Sequence, residues 1–136
     1  MELVVDANAL FSALIKNSHT RHFLLLGSYS FFVPEFVFEE IREHLDELAE
    51  KSGVSKQELD AVLSGIITSA NILIIPFCEF RQYAKKARWI SPDADDVHYF
   101  ALALKLGCGI WSNDKRLLGQ KEVRIYSTKE VLSGLF

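Results

Sequence analysis

Residues 93–114 read DADDVHYFALALKLGCGIWSND, and this stretch predicts the architecture of the chain. A cluster of acids is followed by a run of helical period, for which Pro92 suits the first helical position and Gly107 the C-terminal cap. The apolar run at residues 109–111 then predicts a strand covered on both faces, and Asp114 comes just after it. The stretch is therefore a helix and a strand with carboxylates at both ends.

The same alternation continues in both directions along the chain. Short apolar runs predict buried strands at residues 3–5, 31–33, 72–75, 109–111 and 123–125. Segments of helical period lie between them, at residues 8–15, 20–27, 35–50, 56–70, 79–90 and 95–106. Ser55 and Glu58 form an S-x-x-E capping box at the start of one helix. We expect a single α/β domain over residues 1–136, with a mostly parallel sheet and helices on both faces.

The composition excludes several classes of protein. With 136 residues, 49% of them hydrophobic, the chain can form one real core and is not intrinsically disordered. A net charge of −3 argues against binding of nucleic acid by bulk electrostatics. No apolar run approaches the ~18–20 residues of a membrane span, and the start lacks the basic region of a signal peptide. Cys78 and Cys108 form no CxxC pair, which suits a reducing cytoplasm.

The placement of the acids is the most informative feature. Asp6 follows the first predicted strand, Asp114 follows the fourth, and Asp93, Asp95 and Asp96 open the helix before that strand. Ligands of open parallel sheets bind at the carboxyl ends of the strands, so we expect these side chains near one edge of the sheet. Each acid also has a structural interpretation, as a helix cap, a turn residue or a solvated side chain.

Helical geometry selects among neighbouring acids. At about 100° per residue, Glu40 lies at the boundary of the apolar face of helix 35–50, whereas Glu39 points to solvent. By the same geometry Asp96 faces inward and Asp95 lies to the side. Carboxylates packed together raise one another's pKa, and a divalent cation removes that conflict. All-oxygen ligands suit Mg²⁺ or Mn²⁺ rather than Zn²⁺.

Segments in order along nearly the whole chain resemble the PIN-domain family of metal-dependent nucleases: VVDANALF, PEFVFEEIREH, DADDVHYFALALKLG and IWSNDKRL. The resemblance implies a three-layer α/β/α fold whose five-stranded parallel sheet has the order 3-2-1-4-5. It places the four acids of the family at Asp6, Glu40, Asp96 and Asp114, with Asp93 as an extra acid that some members have. The first and fourth strands would then be neighbours.

The activity implied by this resemblance is that of a Mg²⁺- or Mn²⁺-dependent endoribonuclease, with the four acids as metal ligands. Polar and basic side chains near them are the candidates for contacts with RNA phosphates: Ser112, Asn113, Lys115, Arg116, Lys85, Lys86 and Arg88. A solvated helix face or turn would explain the basic ones equally well.

The resemblance also implies protein partners, because many family members are toxins of VapBC toxin–antitoxin pairs and form homodimers. Apolar residues are candidates for a dimer contact, although core packing also explains them: Phe11, Phe23, Leu24 and Phe36. Two alternatives stay open, a housekeeping RNA-processing nuclease and a scaffold that binds RNA or protein without cutting. A phospho-acceptor receiver domain is disfavoured because Asp6 has no adjacent acid.

Overall fold

The computed structural model describes residues 1–15, 18–26 and 29–134. The strands of the sheet are β1 (Glu2–Val5), β2 (Ser30–Pro34), β3 (Leu73–Ile75), β4 (Gly109–Trp111) and β5 (Ile125–Tyr126). All pairings are parallel and the order is β3-β2-β1-β4-β5. The expected fold class and strand order are thereby confirmed.

Helices cover both faces of this sheet. The α-helices of the described residues are α1 (Ala7–Leu14), α2 (His19–Leu25), α3 (Val37–Ser52), α4 (Lys56–Ser69), α5 (Ala84–Ile90), α6 (Val97–Leu106) and α7 (Thr128–Ser133). Short 3-10 turns occur at Phe77–Glu79, Arg81–Tyr83, Ala94–Asp96 and Lys115–Leu118. In the part of the chain that the structure describes, no helix is long and apolar enough to cross a membrane.

Several predicted helix boundaries were wrong for local reasons. α6 starts at Val97, because Asp93 caps the preceding 3-10 turn by accepting a hydrogen bond from Asp95 N at 3.0 Å. Pro92 therefore lies outside the helix instead of at its first position. The helix predicted at 79–90 is two 3-10 turns followed by α5, because Phe80 has φ −129° between the turns.

Three further elements differ from the predicted segments, namely α2, β5 and α7. Residue 27 of the helix predicted at 20–27 lies outside the described residues. The last strand is shifted from 123–125 to Ile125–Tyr126. α7 was not predicted, although Ser127 and Glu130 form a complete capping box at its start.

The core is concentrated on the central strands and does not extend to the edge. β1 and β4 end in fully buried Val5 and Trp111, whereas Leu73 and Ile74 of β3 are 46% and 42% exposed. The prediction that β3 is covered on both faces was therefore wrong, because Leu73 and Ile74 point to opposite faces of the sheet and each is partly exposed. Leu24 has no exposed surface and belongs to the core instead of a dimer contact.

Parallel pairing of β1 with β4 positions the site. Val5 lies opposite Trp111 in the register, and Asp6 N donates a hydrogen bond to Trp111 O at 3.0 Å. Asp6 and Ser112 therefore leave the sheet side by side, at the carboxyl ends of the two central strands, where open α/β sheets bind ligands.

Candidate active site

Asp6 is held at the end of β1 by two hydrogen bonds. Its Oδ1 accepts from Ala7 N at 2.7 Å, which makes it the N-cap of α1, and its Oδ2 accepts from Ser112 Oγ at 2.6 Å. The side chain is buried, and burial raises the pKa of this carboxyl. The two hydrogen bonds oppose the rise, and the nearby charge of Asp114 adds to it. Asp6 is thus the N-cap of α1 and a carboxyl whose pKa responds to the charge of a neighbouring acid.

Glu40 lies in the first turn of α3 and faces the interior, as helical geometry predicts, whereas Glu39 is exposed. Its Oε1 is buried and has no hydrogen-bond partner among the described residues. Burial raises the pKa of Glu40 to about 7, and the charge of Asp6 contributes to the rise. The Tyr99 hydroxyl lies near the Glu40 carboxyl and opposes this rise in pKa, although the two groups do not form a hydrogen bond of ordinary geometry.

Asp96 occupies the last position of the 3-10 turn that precedes α6. It is 8% exposed, and its Oδ2 finds no partner within residues 1–15, 18–26 and 29–134. Burial raises the pKa of Asp96 to about 7, and further contributions come from the charges of Asp6, Asp114, Asp93 and Glu40. The charges of acids from four segments of the chain therefore act on one another at this end of the sheet.

Asp114 differs from the other acids because an arginine neutralises it. Arg116 Nε lies 3.1 Å from Asp114 Oδ1, and Arg116 Nη2 lies 2.9 Å from Oδ2. This pairing lowers the pKa of Asp114. Arg116 Nη1 also lies 3.4 Å from Asp93 Oδ2, so the guanidinium spans the rim of the pocket.

The donor set of this pocket fits a hard divalent cation. It consists of carboxylate oxygens, two of which are buried without a partner, and ionisation of Glu40 and Asp96 is opposed by burial and like charge. As arranged, no three His, Cys, Asp or Glu side chains in the described ranges lie close enough to hold a metal ion together. Asp114, for its part, is paired with Arg116.

The profile of the PIN domain family matches residues 4–134 of the chain. The chain belongs to the PIN domain family. The fold is also similar to that of VapBC2 from Rickettsia felis, solved bound to a DNA fragment from its promoter, with 15% identity and a TM-score of 0.70 over 93% of this chain and 98% of that one. PAE2754 from Pyrobaculum aerophilum gives 20% identity and a TM-score of 0.68 over 99% and 89%. At these identities the two structures show a shared fold alone, and no curated protein gives a significant match.

Ser112 and Asn113 of this PIN domain make hydrogen bonds that support the site. Ser112 is buried, and its Oγ donates to Asp6 and accepts from Asp114 N at 3.0 Å. The Asn113 amide donates to Thr128 Oγ1 and accepts from Thr128 N, both at 2.8 Å. Lys115 and Arg116 are exposed at the rim, where a phosphate could reach them.

Sequence reasoning missed three residues that shape the PIN-domain site. Tyr99 lies beside Glu40, Asn8 Nδ2 approaches Ser112 Oγ at 3.4 Å, and Thr128 holds the loop that carries Asp114. The capping box at the start of α7 was the one available signal for Thr128, because it fixes where that helix begins.

Proposed function

We propose that this PIN domain is a Mg²⁺- or Mn²⁺-dependent endoribonuclease that acts as the toxin of a VapBC-type pair. The observation that supports this most is the cluster of Asp6, Glu40 and Asp96: the pKa of each carboxyl is raised, and one buried oxygen of Glu40 and one of Asp96 lack hydrogen-bond partners. Such a cluster costs folding free energy unless positive charge enters it. Family membership favours a nuclease as the use of that charge.

Asp6, Asp96, Asp114 and Glu40 would hold the metal, with Asp93 at the rim. When bound, the ion would supply Lewis-acid stabilisation of the phosphate and an activated water. Asp6 is already fixed by its hydrogen bonds to Ala7 and Ser112, so it enters the site in one orientation. Glu40 and Asp96 would ionise on binding and release protons, because their pKa values of about 7 lie near neutrality.

The rim cations would bind the RNA backbone. Arg116 exposes 70% of its side chain and now neutralises Asp114, and it can exchange that carboxylate for a phosphate when the acid turns to the metal. Lys115 follows Asp114 directly and is exposed, so it is placed for a flanking phosphate. Specificity for RNA over DNA is part of the proposal.

The partners belong to the same proposal. An antitoxin partner is supported by the similar fold of VapBC2, which was solved bound to a DNA fragment from its promoter. An antitoxin arginine would fit the acidic pocket in the way that Arg116 now fits Asp114. We further propose a homodimer and a cytoplasmic location, which suits the free thiols of Cys78 and Cys108.

The test is cleavage of end-labelled single-stranded and hairpin RNA by the purified chain in Mg²⁺, in Mn²⁺ and in EDTA. We expect cleavage with either metal, and a loss of at least about 100-fold in rate for Asp6→Asn. Glu39→Gln is the matched control for Glu40→Gln, because the two residues are adjacent and Glu39 is exposed. Cleavage that survives both EDTA and Asp6→Asn would refute the proposal.

A further inference from the structure

Trp89 is exposed to an extent that packing does not explain. It is 90% exposed at the end of α5, whereas the other tryptophan of the chain, Trp111, has no exposed surface. α5 contacts the core through Ala84 and Ala87, which are both buried. An indole left in water is a large apolar surface without a partner in the fold, and tryptophan is enriched at binding interfaces.

The neighbours of Trp89 are cations. Lys85 and Lys86 precede it by four and three residues, so all three share the outer face of the helix, and Arg88 is adjacent. α5 carries no acid, although the chain as a whole has a net charge of −3. An exposed ion pair of 3.7 Å between Lys86 and Glu122 is weak. The outer face of α5 is thus a local positive patch around an aromatic ring.

A groove runs beside α5 and is bordered by the turn that carries Asp96. It has a volume of about 420 Å³ and is lined by Phe77, Ala84, Arg88, Ala94, Val97 and His98. Ala94 belongs to the same 3-10 turn as Asp96, and Arg88 belongs to α5. The His98 ring stacks on Phe36 at 4.4 Å, which gives the groove an aromatic wall. The groove therefore has α5 on one side and the 3-10 turn of Asp96 on the other.

We propose that the outer face of α5 binds single-stranded RNA, with Trp89 stacking on a base and Lys85, Lys86 and Arg88 contacting phosphates. This inference rests on the proposed function, because it supplies the path of the RNA beyond the acidic pocket. Unpaired bases offer free faces to an indole, whereas the bases of a duplex are stacked on one another. Lysines are depleted at protein interfaces, so their grouping around Trp89 favours nucleic acid over a protein partner.

Binding is measured by fluorescence anisotropy with a fluorescein-labelled, unstructured 12-nucleotide RNA, on the full chain carrying Asp6→Asn to suppress cleavage. We expect Trp89→Ala to raise Kd by about 5- to 100-fold, since one stacked base is lost. Trp89→Phe keeps a stacking ring and should raise Kd less than Trp89→Ala. The matched control is Leu132→Ala, which changes an exposed apolar residue of a different helix, α7. It should leave Kd unchanged.

Tryptophan emission gives a second readout. RNA should quench the emission of the exposed indole, and the quenching should disappear in Trp89→Phe, because the buried Trp111 then remains alone. An unchanged Kd in Trp89→Ala would overturn the inference. A second result would also overturn it: Trp89→Ala differs in mass from the unaltered chain in light scattering but keeps its affinity for RNA. The indole would then be a contact between protein chains.

Cleavage assays separate this inference from the proposed function. If Asp6→Asn abolishes cleavage while Trp89→Ala binds and cleaves as the unaltered chain does, only the inference about α5 is wrong. If RNA binding depends on Trp89 while Asp6→Asn cleaves at the normal rate, the role of α5 stands and the metal-dependent mechanism is wrong.

Discussion

Replacement of Asp96 by asparagine should stabilise the metal-free protein above neutral pH. The pKa of Asp96 is raised from 3.8 to about 7. The carboxyl therefore ionises at a higher pH in the folded protein than in the unfolded chain. The resulting destabilisation is absent below about pH 4 and complete above about pH 7. At about 1.36 kcal/mol per pH unit, its upper limit is about 4 kcal/mol. Water that reaches the pocket screens these charges. We therefore expect Asp96→Asn to raise the free energy of unfolding by about 2 kcal/mol at pH 8.

The assay is urea unfolding in EDTA at pH 4 and at pH 8. At pH 4 the two proteins should have nearly equal free energies of unfolding, because a protonated carboxyl and a carboxamide are both neutral. Asp95→Asn is the matched control, since this neighbouring acid is exposed and its loss should change stability by less than about 0.5 kcal/mol. The reasoning fails if Asp96→Asn is no more stable than the unaltered protein at pH 8, or if the difference is the same at both pH values.

Further predictions concern the rim and the strands. Arg116→Gln frees the carboxylate that Arg116 neutralises and should tighten Mn²⁺ binding by about two- to fivefold in calorimetry; weaker binding would contradict the pairing. Asn113→Ala removes two hydrogen bonds to Thr128 and should cost about 1–2 kcal/mol in urea unfolding, with Mn²⁺ affinity retained. Gly109→Ala would place a Cβ 2.8 Å from the backbone oxygen of Arg124, and should lower the free energy of unfolding by about 1–3 kcal/mol.

The positions of the acids follow from local rules that the sequence carries. Strand ends put Asp6 and Asp114 at the carboxyl ends of the central strands, and helical period distinguished Glu40 from exposed Glu39. Asp96 is buried and Asp95 exposed as expected, although the two lie in a 3-10 turn and not in the predicted helix. The order of the strands came from family resemblance, since hydrophobic patterns identify strands but not their neighbours. The catalytic roles of the four acids are part of the proposed function.

Other features could not be predicted because they depend on contacts between distant segments or on side-chain conformation. An apolar run looks the same in a central strand and at an edge, so the exposure of Leu73 was not foreseeable. The pairing of Asn113 with Thr128 joins segments whose approach only the fold defines. The pairing of Arg116 with Asp114 depends on the rotamer of the arginine, and residue spacing in the sequence does not predict a rotamer.

The hydrogen bonds from Trp111 and Asn113 to Thr128 couple the last helix to the strand that ends in the acidic pocket. When the first turn of α7 opens, Asn113 loses both of its hydrogen bonds to Thr128, and the segment that precedes Asp114 loses this support. We therefore expect opening of α7 to loosen the segment that presents Asp114. Anything that docks on α7 and slows its opening would also hold Asp114 in place.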